Sequence, residues 1–206
     1  MALVVGLGNP GADYADTRHN AGWWVLARLV DRWGAAEGER RTEYHTWEAT
    51  YRERRVTLLE PRTWMNLSGE AVAAWRDAHG SSSSHGSSSS HGLEIAELLV
   101  VADDVYLPLG HLRLRASGSS GGHRGLESIE RTLGTVDYHR LRIGVGPASA
   151  DRLRDYVLDT PSQDEIETLE QGVDAAATAV EYWLAEGIIK AMSRINRRVS
   201  KEASEP

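Results

Sequence analysis

The chain has 206 residues, 41% of them hydrophobic and 26% charged, with a formal net charge of −7 and no cysteine. That length suits one domain with a full core, and no apolar run reaches the roughly 20 residues of a membrane span. The missing cysteine excludes disulfides, thiolate metal sites and cysteine nucleophiles, and the acidic balance excludes a surface that coats nucleic acid throughout, leaving room only for a local basic groove.

Residues 2 to 5 (Ala-Leu-Val-Val) form a short apolar run closed by a glycine-rich turn, which predicts a buried strand. The run is too short for a signal peptide and has no basic segment before it, so the expected location is the cytoplasm. From Asn20 to Trp33, Ala21, Trp24, Val25, Leu29 and Val30 recur at three and four, which predicts an amphipathic helix. Tyr44 to Tyr51 and Arg55 to Leu59 flank a charged turn and predict a hairpin.

A helix is expected at about 67–78, then an apolar strand at Leu98 to Ala102, a strand at about 111–116, a helix at about 125–133 and a strand at Leu141 to Val145. Thr160-Pro161-Ser162 precedes a long acidic helix, Gln163 to Glu186. Lys190, Arg194, Arg197, Arg198 and Lys201 then make a basic tail, either a solvated helix end or a partner surface. Alternating strands and helices predict an α/β fold: one domain over residues 1–200 with a short tail at 201–206, built on a twisted, mixed, mostly parallel sheet with helices on both faces.

Residues 79–92 depart from this pattern. A His-Gly-Ser-Ser-Ser-Ser unit occurs twice and ends on a further His-Gly, a composition that buries too little apolar area to offset its ordering entropy. The expectation is a flexible insertion. Its histidines, His79, His85 and His91, have no fixed geometry with which to hold a metal.

Five segments carry candidate chemistry. Gly6-Leu7-Gly8-Asn9-Pro10-Gly11 matches a dinucleotide-binding pattern, but Pro10 removes an amide and Asp13 and Asp16 put carboxylates where pyrophosphate would sit. Thr17-Arg18-His19-Asn20 places an imidazole between strand and helix, either a cap or a general base. Asn66, in Pro61-Arg-Thr-Trp-Met-Asn-Leu-Ser-Gly69, reads on its own slightly more as a helix cap than as an amide for a substrate carbonyl or a developing oxyanion. Asp103 and Asp104 end the most apolar strand, where an acid can orient a histidine or simply close a turn. Arg113 and Arg115 share a strand face ahead of a glycine-rich turn and His123-Arg124-Gly125, a plausible edge for phosphate or a solvated basic strand.

Taken in order, these segments resemble the bacterial-type peptidyl-tRNA hydrolases over nearly the whole chain. The resemblance rests on V-G-L-G-N-P-G-x-x-Y-x-x-T-R-H-N-A-G, P-x-T-W-M-N-L-S-G, D-D-x-x-L-P-L-G, G-G-H-x-G-L and Y-H-R-L-R-I-G-V-G. It implies a monomer without metal or cofactor that hydrolyses the ester between peptide and tRNA and so recycles tRNA. His19 would be the base and Asp103 the carboxylate that stabilises its basic form. Asn9 would separate blocked from free aminoacyl-tRNA, Tyr14, Trp64 and Asn66 would line the substrate cleft, and Arg115 and Arg142 would hold tRNA phosphate. Trp64 stands where phenylalanine is usual, in keeping with a chain that has seven tryptophans and no phenylalanine.

Arg124 replaces the asparagine usual in G-G-H-N-G-L. Arginine accepts no hydrogen bond, so the amide's part is either lost or changed to contact with the terminal nucleotide or its phosphate. This departure keeps a second reading in view, a non-catalytic RNA-binding relative, although such a module would not need His19, Asp103, Asn9 and Asn66 together.

Overall fold

The computed structural model describes residues 1–79, 97–146 and 153–202. Strands β1 (Ala2–Gly6), β2 (Ala36–Arg40), β3 (Tyr44–Tyr51), β4 (Arg54–Pro61), β5 (Leu98–Asp104), β6 (Leu112–Arg115) and β7 (His139–Gly144) form one sheet in the order β2-β3-β4-β1-β5-β7-β6. The four central strands β4, β1, β5 and β7 are parallel, while β2–β3, β3–β4 and β6–β7 are antiparallel. The sheet is thus mixed as expected, parallel at its centre and antiparallel toward both edges.

Strand β1 is buried along its whole length because both of its faces are covered. Ala2 and Val4 pack into a cluster with α1 (Ala21–Trp33), α5 (Gln163–Glu186) and α6 (Ile188–Glu202). Leu3 and Val5 face the opposite cluster, with α2 (Ser68–His79) and α3 (Arg124–Leu133). Ser162 starts α5 with a capping box that Glu165 completes. The basic tail is helical as α6, and Asn196 on it exchanges two hydrogen bonds with the backbone of Leu114, covering the free edge of β6.

Three details differ from expectation. Residues 36–40 form the edge strand β2, which a charged, unpatterned sequence did not advertise. A short helix, α4 (Leu153–Leu158), precedes α5. His79 is the last residue of α2, its ring stacked on Trp75 4.6 Å away, and so belongs to the helix and not to the repeat. His85, His91 and the rest of the repeat lie outside the described residues.

The glycines of the first turn have a packing role. A Cβ on Gly22 would lie 2.4 Å from the backbone nitrogen of Leu7 and 2.6 Å from the carbonyl of Val101, and one on Gly6 would lie 2.4 Å from the carbonyl of Gly22. Two glycines therefore let the first turn of α1 rest directly on the ends of β1 and β5. This close approach sets the position of the residues just before α1.

Candidate active site

The carboxyl ends of the parallel strands converge on one pocket of about 390 Å³. Strand order reverses about β1, the place where open α/β sheets hold ligands. Asn9 follows β1, Met65 and Asn66 follow β4, and Asp103 and Asp104 are the last residues of β5. His19 sits in a single 3-10 turn, Arg18–Asn20, immediately before α1.

Asp103 is 2% exposed and its Oδ1 receives two imidazoles, His19 Nδ1 at 2.7 Å and His123 Nε2 at 2.9 Å. The tautomers follow from the partners. His123 is the N-cap of α3 and its Nδ1 accepts the backbone N–H groups of Gly125 and Leu126, so the ring proton is on Nε2 and is donated to Asp103. A carboxylate can only accept, so His19 donates through Nδ1 and keeps the Nε2 lone pair free. Burial works to raise the Asp103 pKa, yet the two imidazoles overcome it and hold the acid well below the usual carboxylate range. Burial lowers the pKa of His123 against the pull of Asp103, which keeps that ring neutral.

These three side chains are also the one group among the described residues close enough to share a metal ion, with all ligand atoms within 4.8 Å. The contacts of 2.7 and 2.9 Å to a single oxygen are hydrogen-bond lengths, shorter than the roughly 3.3 Å that two ligands of a tetrahedral zinc keep between them. With His123 Nδ1 committed to α3 as well, the geometry is that of a proton-handling site.

Asn9 is fixed on both sides. Asn20, fully buried, accepts from the Asn9 backbone N–H at 2.8 Å and donates to its carbonyl at 3.1 Å. The Asn9 Oδ1 accepts the Met65 N–H at 2.9 Å, which leaves Nδ2 as the donor the amide can offer. Asn66 is exposed on the pocket wall and caps nothing, so the capping alternative for it falls away. Tyr14 and Trp64 meet edge to face, 5.6 Å apart at 84°, and Trp64 remains 51% exposed at the mouth.

The arginines divide by function of place. Arg113, Arg115, Arg140 and Arg142 share one face of the β6–β7 ladder, where Arg113 stands opposite Arg142 and Arg115 opposite Arg140. Arg142 lines the pocket, but its guanidinium faces Asp104 at 3.4 Å and donates to the carbonyls of Ser119 and Ser120. Arg140 likewise holds the carbonyls of Gly118 and Val136. Both therefore pin the glycine-rich loop. Arg115 is exposed and is not among the pocket-lining residues, while Arg142 is; the two stand diagonally on the same face of the ladder.

Sequence reasoning passed over three residues that organise this site: His123, Asn20 and Arg18. Arg18 is 5% exposed and takes the carbonyls of Tyr156, Asp159 and Thr160 together with Glu165 Oε2 at 2.6 Å. It ties the His19 turn to α4, whose Leu153, Val157 and Leu158 form part of the pocket wall.

The peptidyl-tRNA hydrolase family model matches residues 3–204. The chain belongs to that family. Among curated peptidyl-tRNA hydrolases, the protein of Gemmatimonas aurantiaca is 37% identical over 201 residues, covering 96% of this chain and all of the relative. That of a Synechococcus species is 44% identical over 200 residues, covering 95% of this chain and 83% of the relative. A solved peptidyl-tRNA hydrolase from Acinetobacter baumannii superposes with a TM-score of 0.83 at 32% identity, over 95% of this chain and 94% of the other. Membership spans the whole sheet and every segment that builds the pocket, and it removes the dinucleotide reading of the first glycine turn.

Proposed function

We propose that this protein hydrolyses the ester that joins a peptide to the terminal ribose of tRNA, with His19 Nε2 as the base. One observation carries the reading: a buried carboxylate fixes the His19 ring so that its free nitrogen faces a pocket lined by amides. Water gives a proton to Nε2 as its oxygen attacks the acyl carbon. The acyl carbon to ribose oxygen bond then breaks, and the proton passes from His19 to the leaving ribose oxygen. Asp103 stabilises the imidazolium between these steps without itself taking the proton.

Asn66 is placed to donate to the carbonyl oxygen as negative charge develops there, and Asn9 Nδ2 to hold the peptide backbone beyond it. Tyr14 and Trp64 supply the apolar surface next to them. A free aminoacyl group has a charged amine and no carbonyl for Asn9, which favours blocked substrates. The protein acts on this reading as a monomer, and among the described residues no helix is long and apolar enough to cross a membrane. We place the activity in the cytoplasm, where it recycles tRNA from prematurely released peptidyl-tRNA, within one domain over 1–200.

The test is cleavage of N-acetyl-aminoacyl-tRNA in water enriched in heavy oxygen. Hydrolysis by this route puts the label in the carboxyl product and none in the released tRNA. A protein that binds tRNA and releases none would favour the RNA-binding relative instead.

A further inference from the structure

A second groove, of about 640 Å³, opens between α1 and α5 and shares no residue with the catalytic pocket. Trp24, Ala27 and Asp31 recur at three and four along α1, as Ile166, Leu169 and Val173 do along α5, so each helix turns one stripe to the groove. The floor is apolar: Leu169 and Val173 are buried, Trp24 and Ile166 half-buried. The rim is acidic. Asp16, Asp31 and Glu170 are exposed, and among the described residues their side chains have no hydrogen bond and no ion pair. Arg28, the one cation of the lining, is held in an ion pair by Asp174, which Arg32 shares, and Asp31 and Glu170 act on it only at longer range. The rim is thus left with uncompensated negative charge above an apolar floor.

Two chain segments serve both the groove and the catalytic pocket. In one, Asp16 lines the groove and Tyr14 the pocket; in the other, Thr160 lines the groove and Leu158 the pocket. Arg18 ties them together, its backbone N–H donating to the carbonyl of Asp159 at 3.3 Å and its guanidinium to those of Asp159 and Thr160. Trp24 holds the first segment from the groove floor, donating its indole N–H to the carbonyl of Ala15 at 3.0 Å. A body seated on Trp24 therefore bears on the stretch of chain between Tyr14 and His19.

We propose that this groove is a second ligand site, for a small amphipathic cation: an apolar ring that lies on Trp24 and a single protonated amine that pairs with the rim carboxylates. The volume is that of a small-molecule site. Trp24 offers an aromatic surface to the ring, and the unpaired carboxylates select a cation over a neutral or anionic ligand of the same shape. Occupancy reaches the catalytic pocket through Ala15 and Thr160 and alters substrate binding there. That consequence rests on the hydrolase reading above, whereas the site itself does not.

The probe is tryptamine, set against tryptophol, in which a hydroxyl replaces the amine, and indole-3-propionate, in which a carboxylate does, each titrated calorimetrically into the full chain. Tryptamine should bind with a Kd of about a millimolar or below. Tryptophol should bind roughly three- to tenfold more weakly and indole-3-propionate more weakly still, with the gap narrowing in about 1 M salt. Ala27→Trp fills the groove from an exposed helix position and should abolish binding while circular dichroism and basal cleavage stay unchanged. Asp31→Asn combined with Glu170→Gln should reduce tryptamine to the affinity of tryptophol. Equal affinity for the three probes, or tryptamine binding that survives Ala27→Trp, overturns the site. Self-association of the chain that Ala27→Trp abolishes would put a second copy in the groove and overturns it too. For the coupling, saturating tryptamine should change KM for N-acetyl-aminoacyl-tRNA at least about threefold in the wild type and leave it unchanged in Ala27→Trp; an unchanged KM in the wild type, or the same change in both, overturns the coupling alone. A wild type that binds tryptamine as expected and cleaves no ester would sink the hydrolase reading and leave the site standing.

Discussion

His19 and His123 both reach the same oxygen of Asp103, at 2.7 and 2.9 Å, with ring centroids 4.9 Å apart. Each imidazole donates one proton to the carboxylate, and they differ in what the other nitrogen does. In His123 it accepts the first amides of α3; in His19 it is free. One ring is structural and the other is available for chemistry.

Asp103→Asn separates charge from shape. The amide fills the same space, but it offers a donor where only an acceptor stood, so the His19 ring can turn or change tautomer and lose its free Nε2. We expect kcat to fall by roughly 10²- to 10⁴-fold with the fold retained, measured by tRNA release alongside circular dichroism.

The two jobs of His123 can be divided as well. Asparagine is a good N-cap, so His123→Asn should keep α3 intact while leaving Asp103 one hydrogen bond short; kcat should drop about tenfold with little change in melting temperature. His123→Ala should lose the cap in addition, at a cost of about 1 kcal/mol. Equal stability for the two variants, measured by denaturant unfolding, would show that the cap contributes nothing.

Much of this arrangement was legible in the residues and part of it was not. The unbroken apolar run of β1, the three-and-four spacing of α1 and the capping residues before α5 each encode their element locally. Strand β2 does not: its charged residues are held by pairing with β3 at the sheet edge and by the contact of Glu39 with His79 of α2. At the site, the alternation of Arg113 with Arg115, and of Arg140 with Arg142, told that their side chains share a face. It could not tell which remain free, because that depends on where the carbonyls of residues 118–120 come to rest. His19 and Asp103 are 84 positions apart, so their meeting followed from resemblance to a family and not from spacing.

Stability should fall as the solution is acidified through the ordinary histidine range. Burial lowers the pKa of His123 and of His139, whose Nδ1 accepts the indole N–H of Trp183 at 2.9 Å. Both groups bind their proton more readily when unfolded, so their contribution is present above the unfolded pKa and is lost as pH falls. The slope approaches about 1.4 kcal/mol per pH unit for each extra proton taken up on unfolding. Urea midpoints between pH 8 and pH 5 check this; a midpoint that is flat or rises on acidification contradicts it.

Arg18→Met should cost roughly 2–4 kcal/mol, because it removes a buried guanidinium's hydrogen bonds to three carbonyls and its ion pair with Glu165. Since Arg18 also joins α4 to the His19 turn, KM should rise more than kcat falls. A loss confined to kcat would place the effect at His19 and not at the pocket wall.

The most direct test of the central claim is the single-turnover rate of ester cleavage by His19→Ala, measured at saturating protein beside its affinity for the substrate. If His19 Nε2 is the base, the rate falls at least about 10³-fold while the affinity stays within about twofold. Cleavage within tenfold of wild type would contradict the assignment of His19, and with it the part given to Asp103.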